Sequence, residues 1–264
     1  MTRRIFASVL GAGIGASVRL RAGAKLNIGI GTYSYHNLSM EAMIAQLKAL
    51  HVREVEMSRG DFMLLSHPGE DRFRAARGMF DAAGIRCVSY YSATIHDEHE
   101  LDLAVRFASL LGARNITGDA TGRALLQRID AQCTHAGLTF GIHNHFFNEK
   151  FPYESPADVL KALSGLSKTV GATADVGQFA SCGYDPVDAV RQLGPHLKLV
   201  HLKDIAAAHA EENVLLGRGI ARIPEVMREL RKQQFAGLVA VEYEKEGPVE
   251  DDMRTEVEYA RKLA

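Results

Sequence analysis

The chain is poor in cysteine and has no excess of charge of either sign. Its 264 residues include three cysteines, Cys87, Cys133 and Cys182, whose spacing fits neither CxxC nor another metal motif. An odd number leaves no complete disulfide framework, so we interpret them as small apolar residues. Lys and Arg number 31 and Asp and Glu number 32, which gives a formal net charge of −1. Without a basic excess to bind a phosphate backbone, a nucleic-acid partner is not expected.

Long apolar runs are also missing. The apolar stretch at residues 7–18 is too short and too rich in glycine for a membrane span, which needs about 20 residues. Arg3 and Arg4 precede it and Ala-Gly-Ala at 22–24 follows, so the segment has the three regions of an export signal. Two arginines ahead of a bulky apolar residue resemble a twin-arginine signal. We therefore expect residues 1–24 to be an export signal of a periplasmic or secreted protein. The alternative is a tail, or a helix over one barrel end, in a cytoplasmic protein.

Residues 25–264 are expected to form one domain. Hydrophobic residues make up 47% and charged residues 24%, which is typical of a soluble globular protein and excludes a disordered chain. Short apolar runs alternate with longer stretches of helical periodicity. The predicted strands span residues 26–32, 54–57, 86–91, 115–118, 139–145, 171–175, 197–202 and 238–242. The predicted helices lie near residues 39–50, 69–83, 98–111, 121–136, 155–163, 186–193, 222–234 and 249–263.

Capping residues support these helices. Three polar residues stand at N-cap positions: Ser39, Ser155 and Asp185. Three glycines fall just after helices, where a left-handed C-cap favours a residue without Cβ: Gly84, Gly112 and Gly137.

Eight strands alternating with eight helices predict a parallel sheet with helical crossovers. Closing that sheet removes both of its edges, so a single (β/α)8 TIM barrel is favoured over an open doubly wound sheet. No GxGxxG motif follows the first strand, so the dinucleotide-binding fingerprint is absent.

Residues with metal-binding chemistry stand at the ends of four late strands. His143 lies near the end of the fifth strand, Asp175 ends the sixth, His201 is near the end of the seventh and Glu242 ends the eighth. Successive members are about one βα unit apart, so a barrel would bring all four to the mouth at the C-terminal ends of its strands. Two imidazoles and two carboxylates suit Mn²⁺, Zn²⁺, Co²⁺ or Fe²⁺ better than Ca²⁺. Any one of them alone would more often be structural, but together they predict a divalent-metal site.

Five short motifs group around these residues. They are Ile-His-Asn-His at 142–145, Ala-Asp-Val-Gly at 174–177, Val-His-Leu-Lys-Asp at 200–204, Leu-Gly-Arg-Gly at 216–219 and Val-Glu-Tyr-Glu at 241–244. Through these motifs residues 26–263 resemble the xylose isomerase-like TIM barrels, a family of sugar phosphate isomerases and epimerases. The resemblance implies one divalent ion, Mn²⁺, Mg²⁺, Co²⁺ or Zn²⁺, held by His143, Asp175, His201 and Glu242. It also implies isomerisation, epimerisation or dehydration of a small polyhydroxy carbonyl compound.

Two positions depart from the family pattern. Many ketose epimerases of the family have Glu where this chain has His143, and that Glu is one of two carboxylates that exchange a proton with the substrate carbon. The family also commonly has His where this chain has Gln178. An amide can bind a substrate hydroxyl but cannot act as an acid or base near neutral pH. The motifs therefore favour the metal site more clearly than any single catalytic mechanism.

Three residues are candidates for proton transfer or charge stabilisation. Glu242 is the first candidate base, since a carboxylate can bind metal through one oxygen and accept a proton with the other. His145 shares the strand face of His143 and is interpreted as an acid, a base, a ligand, a substrate donor or a packing residue. Lys203 shares the face of His201 and would neutralise an enediolate, bind a substrate carboxylate or form a structural salt bridge.

The opposite wall of the pocket is predicted from the early strands. Glu56 after the second strand and His36 after the first are candidates for substrate binding, together with Gln178. Four aromatic residues near the predicted strand tops would stack on a sugar ring or cap the barrel: Tyr33, Tyr35, Phe146 and Phe147.

The resulting prediction is a metal-dependent isomerase or epimerase that acts on a sugar or keto-sugar through an enediolate. The alternative is a lyase that carries the same enediolate to β-elimination on a keto-sugar, keto-glycoside or inosose. A non-catalytic sugar-binding barrel is a further alternative. The DNA-repair endonucleases of the same barrel family need three metals and a DNA-binding surface, for which this chain offers neither ligands nor charge. A homo-oligomer remains open.

Overall fold

Eight parallel strands close into a barrel in the computed structural model, which describes residues 25–146 and 152–264. The predicted export signal at 1–24, and Phe147, lie outside these described residues. The barrel strands are β1 (Asn27–Gly31), β2 (Glu54–Met57), β3 (Arg86–Ile95), β4 (Asn115–Ala120), β5 (Thr139–His143), β6 (Val170–Asp175), β7 (Leu197–Leu202) and β10 (Leu238–Val241). β1 pairs in parallel with both β2 and β10, which closes the sheet. The prediction of a (β/α)8 barrel is confirmed.

Helices connect successive strands on the outside of the barrel. They are α1 (Met40–Ala49), α2 (Glu70–Ala83), α3 (Glu98–Leu111), α4 (Arg123–Ala136), α5 (Pro156–Leu163), α6 (Val176–Ser181), α7 (Pro186–Leu193), α8 (Ile223–Lys232) and α9 (Glu250–Leu263). None of the described helices is long and apolar enough to cross a membrane.

The predicted caps are present. The side chains of Ser39, Ser155 and Asp185 each accept a backbone N–H from the first turn of α1, α5 and α7. The three predicted C-cap glycines have φ between +66° and +74°, the left-handed region in which a Cβ is unfavourable. Local chemistry therefore determines where these helices begin and end.

Three features depart from the predicted elements. β3 continues past Tyr91 through a bulge at which Ala93 has φ of +65°, and it ends at Ile95. The one-and-a-half-turn helix α6 follows β6 without a break, because the Asp175 side chain caps it. A short antiparallel pair, β8 (Asp204–Ile205) with β9 (Asn213–Val214), stands between β7 and α8. All three are too short or too irregular to produce a clear sequence period.

Apolar side chains fill the layer between the sheet and the helices, while the barrel interior beneath the mouth is partly polar. Ser89 donates to Glu56 at 2.8 Å, and the hydroxyls of Thr117 and Thr173 lie 3.0 Å apart. Gly141 on β5 leaves room for Thr173, because a Cβ at that position would lie 2.2 Å from its hydroxyl oxygen. The polar layer forms the floor of the site described next.

Candidate active site

Three predicted ligands converge at the C-terminal mouth of the barrel. His143 ends β5, Asp175 ends β6 and His201 lies one residue before the end of β7, where it is in register with Asp175. His143 Nε2 lies 3.1 Å from His201 Nδ1, and Asp175 Oδ2 lies 3.8 Å and 3.9 Å from those two nitrogens. All three side chains are buried, and the group could hold a metal ion.

Glu242 lies at the edge of this group, directly after β10. Its Oε2 is 3.5 Å from His201 Nδ1, while its Oε1 faces Gly31 at the end of β1. A Cβ at Gly31 would be 3.0 Å from Oε1, so the missing side chain leaves space for the carboxylate. Burial raises the pKa of Glu242, although the nearby Lys203 and His201 oppose the shift.

His201 is oriented by a carboxylate beneath it. Its Nε2 is hydrogen-bonded to Glu56 Oε2, and Ser89 donates to the other oxygen of Glu56. Burial would raise the pKa of Glu56, but the charge and hydrogen bond of His201 lower it below its ordinary value. Burial would lower the pKa of His201, but Glu242, Glu56 and Asp175 raise it to about 9. With this raised pKa both ring nitrogens carry a proton in the metal-free protein. Because Nε2–H donates to Glu56, the proton on Nδ1 is the one that a metal ion at the cluster would displace.

A second histidine–carboxylate pair supports His143. His145 Nε2 lies 2.8 Å from Asp119 Oδ2 on β4 and 3.5 Å from His143 Nδ1. Burial lowers the pKa of His143 well below its ordinary value, and the neighbouring His145, His201 and Lys203 lower it further. A neutral His143 offers the lone pair that a metal ligand needs.

Lys203 brings a positive charge into the site. Its ammonium lies 3.2 Å from Asp175 Oδ2, 3.2 Å from Glu242 Oε2 and 2.8 Å from Glu244 Oε1. Burial would lower the pKa of Lys203, but these three carboxylates raise it well above its ordinary value. Its stem packs on Gly177, where a Cβ would lie 2.9 Å from Lys203 Cγ. The residue therefore holds its proton and acts as a cation.

The donor set fits a divalent ion. Asp175 Oδ2 is buried and accepts no hydrogen bond from any described residue, although its partner Oδ1 accepts from the Gln178 N–H at 2.9 Å. Around Lys203, the three carboxylates exceed the ammonium by two negative charges, the amount that one divalent cation neutralises. Two imidazoles with carboxylate oxygens are also a ligand set for first-row divalent metals.

A cavity of about 320 Å³ opens above the cluster. Its described lining consists of Tyr33, Ser58, Met63, Leu65, Tyr91, Ala93, Thr94, His143, His145, Phe146, Gln178, His201, Lys203, Glu242 and Glu244. Most of the predicted site residues thus share one cavity. Glu56 is instead buried beneath His201, and His36 lies behind Tyr33, on which its ring stacks at 5.2 Å between centroids. Tyr35 is fully buried in the core.

Sequence reasoning missed three residues of this site. Tyr91 packs edge-on against His143, with 5.3 Å between ring centroids, and the bulge at Ala93 follows it. Asp119 holds His145, and Glu244 holds Lys203. Glu244 could have been found, because it follows Glu242 by two residues, the spacing that singled out His145 and Lys203. Asp119 and Tyr91 lie on β4 and β3, for which no motif was recognised.

Asp204, in the His-Leu-Lys-Asp motif, has a different role. Its Oδ1 accepts the N–H groups of Ile205 and Ala221, and its Oδ2 accepts those of Gly217 and Gly219, all at 2.9–3.0 Å. It therefore holds the Leu-Gly-Arg-Gly loop in place beside the mouth. These hydrogen bonds explain why the His-Leu-Lys-Asp and Leu-Gly-Arg-Gly motifs occur together in the sequence.

A short part of the chain is similar in sequence to a curated protein. An uncharacterized protein of Mycobacterium tuberculosis is 36% identical over 70 residues, which are 26% of this chain and 25% of that protein. The chain thus matches about a quarter of the length of the curated relative.

Two solved structures superpose on most of the chain. The 3-keto-D-glucoside 4-epimerase YcjR of E. coli has a TM-score of 0.71 and 15% identity, covering 90% of this chain and 100% of that one. The probable 3-DHS dehydratase AsbF of Bacillus anthracis has a TM-score of 0.70 and 13% identity, covering 88% and 98%. At these identities the likeness establishes the fold alone.

The family assignment comes from a longer match. The xylose isomerase-like TIM barrel profile matches residues 44–263, which include all four candidate ligands and both supporting pairs. Together with the closed eight-stranded barrel, this match shows that the chain belongs to the xylose isomerase-like TIM barrel family.

Proposed function

We propose that this protein is a divalent-metal-dependent isomerase or epimerase of a sugar or keto-sugar. The observation that carries the proposal is the convergence of His143, Asp175 and His201 beside a cavity whose lining includes both histidines, Glu242 and Lys203. In a barrel of this kind the C-terminal ends of the strands are where substrate binds.

The four candidate ligands have distinct tasks in this proposal. His143, Asp175 and His201 would hold the ion, with Glu242 completing the set from the side of β10. An ion bound there would polarise a substrate carbonyl and the adjacent hydroxyl, and so acidify the C–H bond between them. Glu56 keeps His201 in the tautomer that presents Nδ1, and His145 contacts the far nitrogen of His143.

Glu242 is the proposed base. It lines the cavity, and burial raises the pKa of its carboxyl above the ordinary range, which makes the carboxylate a stronger proton acceptor. When Glu242 removes the proton, negative charge develops on the substrate as an enediolate. Lys203 is positioned to stabilise that charge, because its ammonium is fixed beside Glu242 and keeps its proton.

The acid on the other side of the cavity is proposed to be His145. It lines the cavity after β5, whereas the two glutamates of the lining follow β10, and Asp119 orients its ring. Proton return to the substrate from that side would complete an epimerisation. Gln178, on the first turn of α6, can only donate or accept a hydrogen bond to a substrate hydroxyl.

A lyase reaction is the second candidate function. Both carboxylates among the described cavity residues, Glu242 and Glu244, follow the same strand, so no second carboxylate faces the substrate from β5. β-Elimination needs one base and one acid for the leaving oxygen, and Glu242 with His145 supplies that pair. The substrates would be a keto-sugar, keto-glycoside or inosose.

The export signal proposed for residues 1–24 bears on the substrate. A periplasmic or secreted enzyme meets free or oxidised sugars and glycosides more often than phosphorylated metabolites. Lys203 is the one Lys or Arg among the described cavity residues, and three carboxylates already surround it. The substrate proposed here is therefore uncharged.

The test combines metal analysis with solvent-isotope exchange. Purified protein is analysed for bound metals and then incubated with a panel of keto-sugars and keto-glycosides in deuterated water, with products followed by NMR. Deuterium at the carbon next to the carbonyl, with a changed configuration or carbonyl position, supports isomerase or epimerase activity. An unsaturated product with loss of water or an alcohol identifies the lyase instead. If the purified protein contains no metal and no substrate takes up deuterium, both the isomerase and the lyase proposals are contradicted. The alternative of a non-catalytic sugar-binding barrel would then be supported.

A further inference from the structure

The cavity lining contains both polar and apolar side chains. The polar members include His143, His201, Lys203, Glu242, Glu244 and Gln178, and the apolar and aromatic members are Tyr33, Met63, Leu65, Tyr91, Ala93 and Phe146. Met63 and Leu65 stand on one loop, and we refer to this pair as the apolar wall. A sugar ring can stack its C–H faces on the aromatic members, but its hydroxyls gain no partner from Met63 and Leu65. The apolar wall therefore points to a second part of the ligand that carries few hydroxyls.

Leu65 is the clearest sign of this second part. Its side chain is 70% exposed, the highest value among the large hydrophobic residues that the structure describes as exposed. It lies at the rim on the 3₁₀ turn Leu64–Ser66, between the buried Leu64 and Ser66, whose hydroxyl donates to the Gly60 carbonyl at 2.6 Å. Because its neighbours anchor the turn, Leu65 is held toward solvent beside the cavity.

The charges of the cavity exclude an anionic tail for this end. Met63 and Leu65 stand on the loop after β2, and no Lys or Arg among the described residues lines the cavity near them. Lys203 already has three carboxylate partners within 3.2 Å. A phosphate or carboxylate placed against Leu65 would lose its hydration without gaining a counter-charge.

We propose that the cavity is a glycoside site, in which the cluster takes an oxidised sugar ring and the apolar wall takes an aromatic aglycone. This inference rests on the proposed sugar chemistry and names its substrate class. Burying an aromatic ring against Met63 and Leu65 removes apolar surface of both partners from water, which favours binding. Free sugars and sugar phosphates would then bind more weakly than aryl glycosides of the same sugar.

The experiment compares two probes that the enzyme cannot turn over by the proposed chemistry. Isothermal titration calorimetry on the metal-loaded full chain measures the Kd of methyl and phenyl β-D-glucopyranoside. We expect the phenyl glucoside to bind about tenfold more tightly, the order of the gain from burying one ring. Leu65→Ser should remove most of this preference while leaving the Kd of the methyl glucoside unchanged. Ile220→Ser is the matched control, since Ile220 is also exposed (40%) but does not line the cavity.

Three outcomes overturn the inference. The first is equal binding of both probes, and the second is binding of neither. The third is a dimer of the native chain, seen by light scattering, that Leu65→Ser converts to a monomer, because Leu65 would then belong to an interface between copies. Failure of the proposed function is recognised separately, because the binding assay involves no reaction. If the phenyl glucoside binds more tightly but no keto-glycoside is turned over, the proposed reaction is refuted and the aromatic subsite stands. If keto-glycosides are turned over but the phenyl glucoside binds no more tightly, the reaction stands and the aromatic subsite is refuted.

Discussion

Two regions beside the barrel mouth each contain a buried aspartate, and the two aspartates are treated in opposite ways. Asp204, 1% exposed, is saturated: each oxygen accepts two backbone N–H groups, three of them from residues 217–221 and one from Ile205. Asp175, fully buried, accepts one N–H on Oδ1 and no hydrogen bond from described residues on Oδ2. The Lys203 ammonium lies 3.2 Å from that open oxygen without making a hydrogen bond to it.

The difference separates a structural carboxylate from one that is available to a ligand. Burying a charge is costly unless hydrogen bonds compensate it, and nearly all buried polar groups in folded proteins are satisfied. Asp204 follows that rule and stabilises the loop. Asp175 departs from it where two histidine nitrogens face the same point, so its open oxygen is interpreted as a site for a cation.

The largest effect is expected on turnover, from a substitution beside Asp175. Glu242→Gln keeps the size and one oxygen ligand but removes the negative charge and the basic site. If Glu242 is the base, turnover should fall by about 10²- to 10⁴-fold, the usual contribution of a positioned general base. Metal occupancy, measured by elemental analysis of the purified variant, should fall only modestly.

His145→Asn is the matched variant on the other side of the cavity. A large loss of turnover there, with Glu242→Gln mainly weakening metal binding, would move the base to His145. Unchanged rates in both variants with metal retained would mean that neither residue handles the proton. Lys203 is a poor third candidate, because its carboxylate neighbours raise the pKa of its ammonium well above the ordinary value.

The comparison itself is tested by exchanging each aspartate for asparagine. Asp204→Asn removes the charge from four hydrogen bonds and turns an amide N–H₂ toward backbone donors, so the free energy of unfolding should fall by about 2–4 kcal/mol. Asp175→Asn keeps the hydrogen bond to Oδ1 and leaves Lys203 with two other carboxylate partners, so its loss should be smaller, about 1 kcal/mol, while metal binding weakens. Urea unfolding of metal-free protein measures both. Equal losses of stability would show that the two aspartates do not differ in role.

A smaller effect, on metal affinity, is expected from substituting Glu56, the carboxylate beneath the cluster. Glu56→Gln removes the strong acceptor that fixes the His201 tautomer, and such partners usually contribute about 10- to 100-fold to metal affinity. Titration of the metal-free protein with Co²⁺, followed by its absorption spectrum, gives the Kd. The control is Glu54→Gln, on the same strand but bonded to Arg86 and Asn27 rather than to the cluster. A Glu56→Gln protein with native Co²⁺ affinity would refute the orienting role.

The fold could be predicted from the sequence because its signals are local and repeated. Apolar runs marked each barrel strand to within a few residues, and Ser39, Ser155 and Asp185 marked helix starts through capping that depends on adjacent residues only. The extension of β3 depends on a bulge at Ala93, and α6 depends on the cap from Asp175. Neither leaves a periodic pattern.

The candidate site could be predicted only in part, for a related reason. His143, Asp175, His201 and Glu242 recur at strand ends, so barrel topology alone brings them together. The partners that orient them come from distant positions, and Asp119 is brought to His145 only by the packing of β4 against β5. A single sequence contains no signal for such pairs. The role of Lys203 required the observation that three carboxylates surround it.

Close to the loop that Asp204 holds, one buried carboxyl group has an oxygen without a hydrogen-bond partner among the described residues. This group allows a test by pH. Glu256 on α9 is 1% exposed and accepts the Leu216 N–H at 2.9 Å through Oε1, while its Oε2 has no partner among the described residues. Burial, with smaller contributions from Asp204 and Asp252, raises the pKa of Glu256 to about 8. The carboxyl is therefore protonated in the folded protein at pH 6.

This proton links stability to pH with a definite sign. Between the ordinary glutamate pKa and about 8, the folded chain keeps a proton on Glu256 that the unfolded chain has lost, so this group's contribution to stability falls as pH rises through that window and levels off above it. Glu256→Gln mimics the protonated form. The unpartnered amide N–H₂ of the variant costs the same at every pH, so it does not affect the pH dependence. The free energy of unfolding of the variant, relative to the native chain, should rise by about 3 kcal/mol between pH 5.5 and pH 8.5, since each pH unit within the window contributes about 1.4 kcal/mol. Urea unfolding at both pH values measures the difference, and a difference that does not change with pH would show that Glu256 is already ionised in the fold at pH 5.5.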